Sequence, residues 1–505
     1  MARFLRAHND PDAEPPVPRL ARGMWKRFVF GAVLIVMLVG TATATAGLLQ
    51  VKDVADALTQ TPQLKIPELT AADAGAPQTI LLLGSDLRKA DRIAGLPGRS
   101  DTMMLVRLDP NKQATAVMSI PRDLKVDIVL PDGRSANDKI NAAYTYGGAK
   151  QVVKTIKETL GLDINHVVDV NFRGFLEAVD FLGCVYIDVD RRYFNDNSGP
   201  GPGYAVIDIQ PGYQKLCGQD SLDYVRFRHE DSDFVRGARQ QTFLKEAKNQ
   251  IAVTKILEDR TAFAQIFGKY TQTDIRGTAE VLKLAKLVAF SAGHPVRQVP
   301  FQADLAFEHE ISYVVATPTQ IHASVKAFLD TDNAAPAPKV AQTPAEIAAA
   351  KKRAKSQVLA SGLEQAKTAG EDQAIAAAIQ LRFPVYYPTL RLAGSSYEGS
   401  VPRVYKIKDE KGVPHQAYRM VLSRGLIGEY YGIQGTTWTD PPILKRPSEI
   451  RVVQGRKLEL FFDGKKLSLV AWRRPGAVYW VSNTLLRSLD NKQMLAIARS
   501  LRPIG

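Results

Sequence analysis

Residues 79–88, Thr-Ile-Leu-Leu-Leu-Gly-Ser-Asp-Leu-Arg, decide how the chain is read. Four consecutive apolar side chains, Ile80 to Leu83, suit a buried strand, and the run stops at Gly84-Ser85-Asp86, residues of turn chemistry. A buried strand ending this way sets a carboxylate at its carboxyl end, where open α/β sheets bind ligands. Outward from it, Thr102–Leu108, Thr115–Ile120 and Val185–Val189 read as strands, and Lys150–Leu160 and Phe172–Leu182 as helices. Helices are expected to dominate from Gln240 to about Leu329. The alternation predicts an α/β fold with helices packed on a sheet.

The chain has 505 residues, more than one domain of roughly 100–200 holds. With 45% apolar and 23% charged residues it is ordinary globular material, which excludes wholesale disorder and a multi-span membrane protein. Its two cysteines exclude a disulfide-dense scaffold and a Cys-based zinc finger. The net charge of +14 is unevenly spread: residues 381–505 carry 21 Lys and Arg against nine Asp and Glu, while the middle of the chain is close to neutral.

Phe28 to Leu49 is charge-free and long enough for a transmembrane helix, which needs about 20 residues. Trp25-Lys26-Arg27 before it favour a cytoplasmic N-terminus. A cleaved signal peptide is the alternative, since Ala42-Thr43-Ala44-Thr45-Ala46 offers cleavage sites, but the acidic leader with Asp10, Asp12 and Glu14 argues against it. Either way the chain beyond residue 50 is expected outside the cytoplasm. Nucleic acid is then not an expected partner, and Cys184 and Cys217 are expected to form a disulfide in preference to two buried thiols. The expected organisation is a cytoplasmic tail (1–27), the membrane helix (28–49), a stalk (50–76), an α/β catalytic domain (77–330), an Ala/Pro-rich linker (331–380) and a separate, mostly β (α+β) C-terminal domain (381–505). Within the last, Leu458–Phe462 and Leu467–Trp472 flank Asp463-Gly464, a hairpin signal with a loop lengthened by Lys465-Lys466.

The common catalytic kits are absent. The seven histidines show no zinc-ligand spacing, and neither a G-x-S-x-G elbow nor a P-loop occurs. What recurs is arginine and carboxylate at strand ends: Asp86, then Arg99-Ser100-Asp101 before the second strand and Pro121-Arg122-Asp123 after the third. Tyr224-Val225-Arg226-Phe227-Arg228 alternates with period two, which would project both arginines from one face. Asp231 and Asp233 follow, with Arg236 and Arg239 three apart, on one face if a helix starts there. Arginines grip phosphate oxygens in bidentate fashion, and two carboxylates can hold a Mg²⁺ that bridges phosphates. The pattern therefore reads either as a pyrophosphate site or as an interlaced surface of salt bridges.

Taken together, LLLGSDLR (81–88), GRSDTMMLVRLDP, SIPRDLKVDI, NDKINAAYTYGG and YVRFRHEDSDFVRGARQQ resemble, in order and spacing, the LytR-CpsA-Psr family over about residues 77–330. The resemblance implies a membrane-anchored, extracytoplasmic enzyme with an α/β/α sandwich catalytic domain and an apolar pocket for a polyprenyl tail. It implies transfer of a polyprenyl-pyrophosphate-linked glycopolymer to peptidoglycan, with a muramic acid 6-hydroxyl as acceptor and a phosphodiester as product. Asp86 and Asp101 match the family's Mg²⁺-linked carboxylates; Arg99, Arg122, Arg226 and Arg228 match its pyrophosphate-gripping arginines. Asp233, Arg236, Arg239 and Gln240 match a later stretch, with direct roles assigned to Asp233 and Arg236. Asp123 would activate the acceptor or orient Arg122, and Lys139 and Asn141 would be structural. Leu87 departs from the small polar residue often found there. Two other readings stay open: a non-catalytic polyprenyl-phosphate or glycopolymer binding protein, and a polyprenyl-pyrophosphate pyrophosphatase. The C-terminal domain lies outside the resemblance. Its charge, with Trp438, Trp472 and Trp480, reads either as a surface for anionic polymer or membrane phosphate, or as a solvated basic face over a Trp-containing core.

Overall fold

The computed structural model describes residues 63–504 apart from 74, 86–97, 99, 199–204, 228–231, 252–259, 309–310, 331–361, 426–428 and 454, with three isolated positions before residue 63. The expected membrane helix at 28–49 lies outside the described residues. Among those described, no helix is long and apolar enough to cross a membrane.

The Ile80–Leu83 run is the inner strand of a six-stranded mixed sheet. In chain order its strands are β1 (Gln78–Ser85), β2 (Ser100–Leu108), β3 (Thr115–Ser119), β4 (His166–Asn171), β7 (Thr271–Thr273) and β8 (Val296–Val299), and in space they run β7-β4-β1-β2-β3-β8. A further pair, β5 (Val185–Val189) and β6 (Gly212–Leu216), forms a separate antiparallel ribbon. Because strand side chains alternate, Leu81, Leu83, Met103, Leu105, Ala116 and Met118 bury one face against helices α1 (Ala142–Leu160) and α7 (Pro318–Leu329). Ile80, Val168 and Leu108 bury the other against α6 (Gly277–Ser291), which follows α5 (Arg260–Tyr270), and Met104 and Val117 pack with Leu244 of α4 (Asp233–Gln250). Helices thus cover both faces. Residues 240–329 are less helical than expected, since β7 and β8 come from that stretch and complete the sheet edges.

Helix α2 (Phe172–Leu182) starts where Asn171 accepts from the Gly174 N–H and ends at left-handed Gly183. The β5–β6 register sets Val185 opposite Leu216, so the flanking Cys184 and Cys217 face each other, and they are disulfide-bonded. Cys217 precedes α3 (Gly218–Arg226). This helix corrects the period-two reading of Tyr224–Arg228: a strand would have split Arg226 from its neighbours, whereas the helix brings Asp223 three residues upstream into a pair with Arg226 at 2.6 Å.

The C-terminal body is built on an eight-stranded antiparallel sheet. Strands β9 (Ser396–Tyr397), β11 (Pro414–Ser423), β12 (Tyr430–Thr436), β16 (Ala477–Ser482), β15 (Lys466–Arg474), β14 (Arg456–Asp463) and β13 (Glu449–Val453) run in that spatial order, and β10 (Arg403–Lys408) also pairs with β11. Two helices, α8 (Lys367–Ala378) and α9 (Asn491–Ser500), pack on it through Ala374, Ala377, Met494 and Ile497. The body therefore takes in α8, whose Ala-rich composition had assigned it to the linker. In the β14–β15 hairpin Asp463 pairs with Lys466, which leaves a two-residue Gly464-Lys465 loop, tighter than the sequence suggested, with Gly464 at φ 58°.

The β5–β6 ribbon packs directly on this C-terminal sheet. Tyr186 and Tyr213 join Trp438, Trp480 and Ala471 in one buried cluster, with Tyr186–Trp438 ring centroids at 5.0 Å and Tyr213–Trp480 at 5.6 Å. Asp188 accepts from Trp480 Nε1 at 3.0 Å and pairs with buried Arg419 at 3.0 Å. The tryptophans are accordingly core residues. Trp472 and Trp480 are fully buried and Trp438 nearly so, which removes them from any exposed polymer-binding surface.

Candidate functional site

The sheet order explains why motifs far apart in sequence meet. β1 and β3 both run antiparallel to β2, so the C-terminal ends of β1 and β3 and the N-terminal end of β2 share one edge. Gly84 pairs with Thr102 but Ser85 pairs with Ser100, leaving Asp101 as the extra residue of a β-bulge. Such bulges re-aim a side chain. Asp101 turns into a cleft beside Met103 and meets Arg122, which follows β3, at 2.8 Å.

Arg122 is the centre of the cluster. Besides Asp101, its guanidinium lies 3.5 Å from Asp233 and 3.7 Å from Asp123. Burial works against its charge, but the carboxylates of Asp233, Asp123 and Asp101 outweigh that and hold its proton more tightly than usual. Asp233 opens α4 behind the Ser232 cap, a position where a carboxylate is favoured by the unpaired N–H groups of the first turn. It accepts from the Asp123 N–H at 3.0 Å and from Arg236, one turn on. Asp123 in turn pairs with Lys139 at 3.2 Å. Gln240, a further turn along α4, donates to Thr102 Oγ1 at 2.9 Å and to the Val225 carbonyl, tying α4 to β2 and α3.

Two cavities meet at Arg122. One of about 310 Å³ is walled by Met103, Ile120, Pro121, Phe234, Pro300 and Phe301, with Asp101, Arg122, Asp233 and Arg236 on one side and Arg297, Asp463, Lys465, Lys466 and Arg487 also lining it. The other, about 450 Å³, is polar and lined by Asp123, Asp138, Lys139, Asn141, Thr145 and Tyr146.

Not every expected residue arrives here. Asp86, Arg99 and Arg228 lie outside the described residues. Arg226 is engaged by Asp223 and stands over the Phe172 ring, away from both cavities. Arg239 is fully buried, donates to the Phe227 carbonyl at 2.6 Å and lies over the Tyr193, Tyr224 and Phe227 rings. Arg239, expected on one helix face with Arg236 and matched to the same later stretch, is thus not brought to the cleft: three residues along a helix turn the side chain far enough to send Arg236 into the cleft and Arg239 into an aromatic core. The sequence reading missed Tyr144, which donates to buried Asp169 at 2.5 Å beneath the site, and the apolar wall from Phe234, Pro300 and Phe301. A lone Phe after Asp233 and a Pro-Phe after a strand carry no signal distinguishing cleft from core.

For a divalent cation, Asp101 presents a hard carboxylate oxygen to the cleft, while Asp86, the other expected ligand, lies outside the described residues. This donor chemistry fits an oxygen-preferring ion such as Mg²⁺. Among the described residues the tight grouping of potential ligands is Asp180 with Cys184 and Cys217, whose sulfurs are already bonded to each other.

Residues 42–328, more than half of the chain, match the LytR_cpsA_psr family. The chain belongs to the LytR_cpsA_psr family. Among its relatives, the polyisoprenyl-teichoic acid–peptidoglycan teichoic acid transferase TagU of Halalkalibacterium halodurans is 31% identical over 202 residues, 40% of this chain and 62% of that protein. TagU of Bacillus anthracis is 36% identical over 171 residues, 34% of this chain and 51% of its own length. The chain thus spans between 51% and 62% of these curated relatives. A crystal structure of TagT bound to LI-WTA is similar over 54% of this chain and 98% of its own, at 25% identity and a TM-score of 0.43. The arginine-carboxylate cluster falls wholly within the matched LytR_cpsA_psr segment, and the C-terminal body falls outside it.

Proposed function

We propose that this protein is a membrane-anchored phosphotransferase that moves a glycopolymer from a polyprenyl-pyrophosphate carrier to peptidoglycan, working outside the cell membrane. The observation that carries the reading is the Arg122 cluster beside a cleft with an apolar stretch from Met103, Ile120, Phe234 and Phe301, which offers an anionic head its cations and a lipid tail an apolar wall. Membership of the LytR_cpsA_psr family and the names of the TagU relatives support it. The charge-free run at 28–49 supports the anchor.

In this reading Arg122 and Arg236 bind the pyrophosphate, and Arg99 and Arg228, outside the described residues, are further candidates. The carboxylates now holding Arg122 keep its guanidinium charged and aimed, so the ligand exchanges one set of oxygens for another. Asp86 and Asp101 would hold Mg²⁺, which would supply neutralisation of the phosphate charge. An acceptor hydroxyl of peptidoglycan enters from the polar cavity and attacks the phosphorus nearer the sugar. The bridging P–O bond breaks, polyprenyl phosphate leaves, and a phosphodiester joins sugar to peptidoglycan. Asp123, on the wall of that cavity, takes the hydroxyl proton.

The test uses the chain from residue 50 with a sugar-labelled polyprenyl-pyrophosphate oligosaccharide, Mg²⁺ and peptidoglycan, followed by mass spectrometry. Label on peptidoglycan is the expected result. Free sugar phosphate without attachment would replace transfer by hydrolysis, and an intact bound carrier would leave a binding protein.

A further inference from the structure

The far wall of the apolar cleft does not come from the LytR_cpsA_psr segment. It is closed by the β14–β15 turn (Asp463 to Lys466) and by Leu485, Leu486 and Arg487 of the segment between β16 and α9. We propose that the C-terminal body is part of the carrier site, and that Leu485 and Leu486 bound the space for the polyprenyl tail and so select its length. This rests on the carrier reading above.

The geometry gives the tail its direction. The residues of α4 on the cleft run from Asp233 to Gln241, roughly 12 Å at the rise of a helix. Asp233 and Arg236 stand at the Arg122 end; at the C-terminal wall, beside Ala238 and Gln298, Leu485 and Leu486 stand among Asp463, Lys465, Lys466 and Arg487. An amphiphile with its phosphates on Arg122 and its body along Met103, Ile120, Phe234 and Phe301 meets Leu485 and Leu486 at that wall. Leu485 is buried, whereas Leu486 is 40% exposed.

The wall is held in place. Arg487 adopts φ 55°, an unusual conformation for a side-chain-bearing residue, and its N–H closes a turn on the Thr484 carbonyl at 3.0 Å. Its guanidinium donates to the Leu485 carbonyl at 2.7 Å, to Asp463 at 2.8 Å and to Gln298 Oε1. Gln298 donates its own N–H to Asp463 at 3.3 Å and its amide to the Ala238 carbonyl and Thr242 on α4. One arginine thus fastens the C-terminal turn to β8 and, through Gln298, to the helix that carries Asp233 and Arg236. Backbone strain held by a network of this kind is a mark of a shaped site. Arg487 is a positioning residue; the leucines are the selecting ones.

The test measures binding of the full chain in detergent to farnesyl pyrophosphate and to a long-chain polyprenyl pyrophosphate. Leu486→Trp is expected to weaken the long chain by about tenfold or more and the short chain by less than about twofold. Arg487→Gly, which accepts the left-handed backbone but lacks the guanidinium, is expected to show the same split. Wild-type protein that binds neither lipid would overturn the carrier reading itself. Wild-type protein that binds both, with Leu486→Trp and Arg487→Gly leaving the ratio of the two affinities unchanged, would overturn only the role of the C-terminal wall.

Discussion

Arg122 meets three carboxylates, from β2, from its own neighbour and from α4, and no single pair accounts for its position. Partly buried charges of this kind are weak evidence for stability and mark a candidate site. Arg122→Ala should lower transfer by more than about 100-fold, the scale of losing a charge-stabilising donor. Its far-UV circular dichroism should remain that of the wild type. Arg122→Lys should not restore the rate, because an ammonium lacks the fork that serves several oxygens at once. Transfer retained by a folded Arg122→Ala protein would take the residue out of the mechanism. At this scale the sequence was only partly legible. Asp101, Arg122 and Asp233 could be singled out by type and motif. The bulge that aims Asp101 and the rotation that removes Arg239 depend on pairing and packing that no local pattern encodes.

At the scale of elements, β1 and β5 were readable as short apolar runs bounded by turn residues, and α2 as a longer amphipathic segment. Tyr224–Arg228 was not, since five residues fit both periods and the helix is decided upstream, at Gly218–Asp220. The α2–β5 and β6–α3 junctions are joined by Cys184–Cys217, 33 residues apart. Removing that link with Cys184→Ser plus Cys217→Ser should cost about 3–4 kcal/mol in the chain-entropy account. Denaturant unfolding of the variant against the oxidised wild type reads it directly, and an unchanged midpoint would deny the bond a stabilising part. The second half of α4 carries a different signature. Burial, with Arg446 nearby, brings the Lys248 ammonium down to about 8, while its Nζ donates to the His294 carbonyl. Between about 8 and the ordinary 10.5 the unfolded chain binds more protons than the folded one, so stability should rise with pH across that window. Below about 8 the penalty is complete. Thermal midpoints measured on either side of pH 8 should show the rise in the wild type and lack it in Lys248→Met.

On the scale of the whole molecule, the β5–β6 ribbon and the C-terminal sheet share one core, so the basic C-terminal body is a structural partner of the α/β domain. Composition could not reveal this: a basic β domain with three tryptophans has the same amino-acid content whether its indoles face solvent or a neighbouring sheet. The contact is specified in detail. Gly432 leaves the space taken by the Arg419 guanidinium, since a Cβ there would lie 2.5 Å from it. Asp188→Ala would strand that buried cation and should cost about 3–5 kcal/mol. Limited proteolysis should then cut between the two bodies at protease levels that leave the wild type intact; equal resistance would show that the pair does not hold them together.

Phosphoryl transfer at the Arg122 cluster is tested by labelling the carrier at the phosphorus nearer the sugar and following that atom. The labelled phosphorus is expected to end in a phosphodiester on peptidoglycan, with unlabelled polyprenyl phosphate released. Label that stays with the lipid while sugar reaches peptidoglycan would mean cleavage at the sugar carbon and would contradict it.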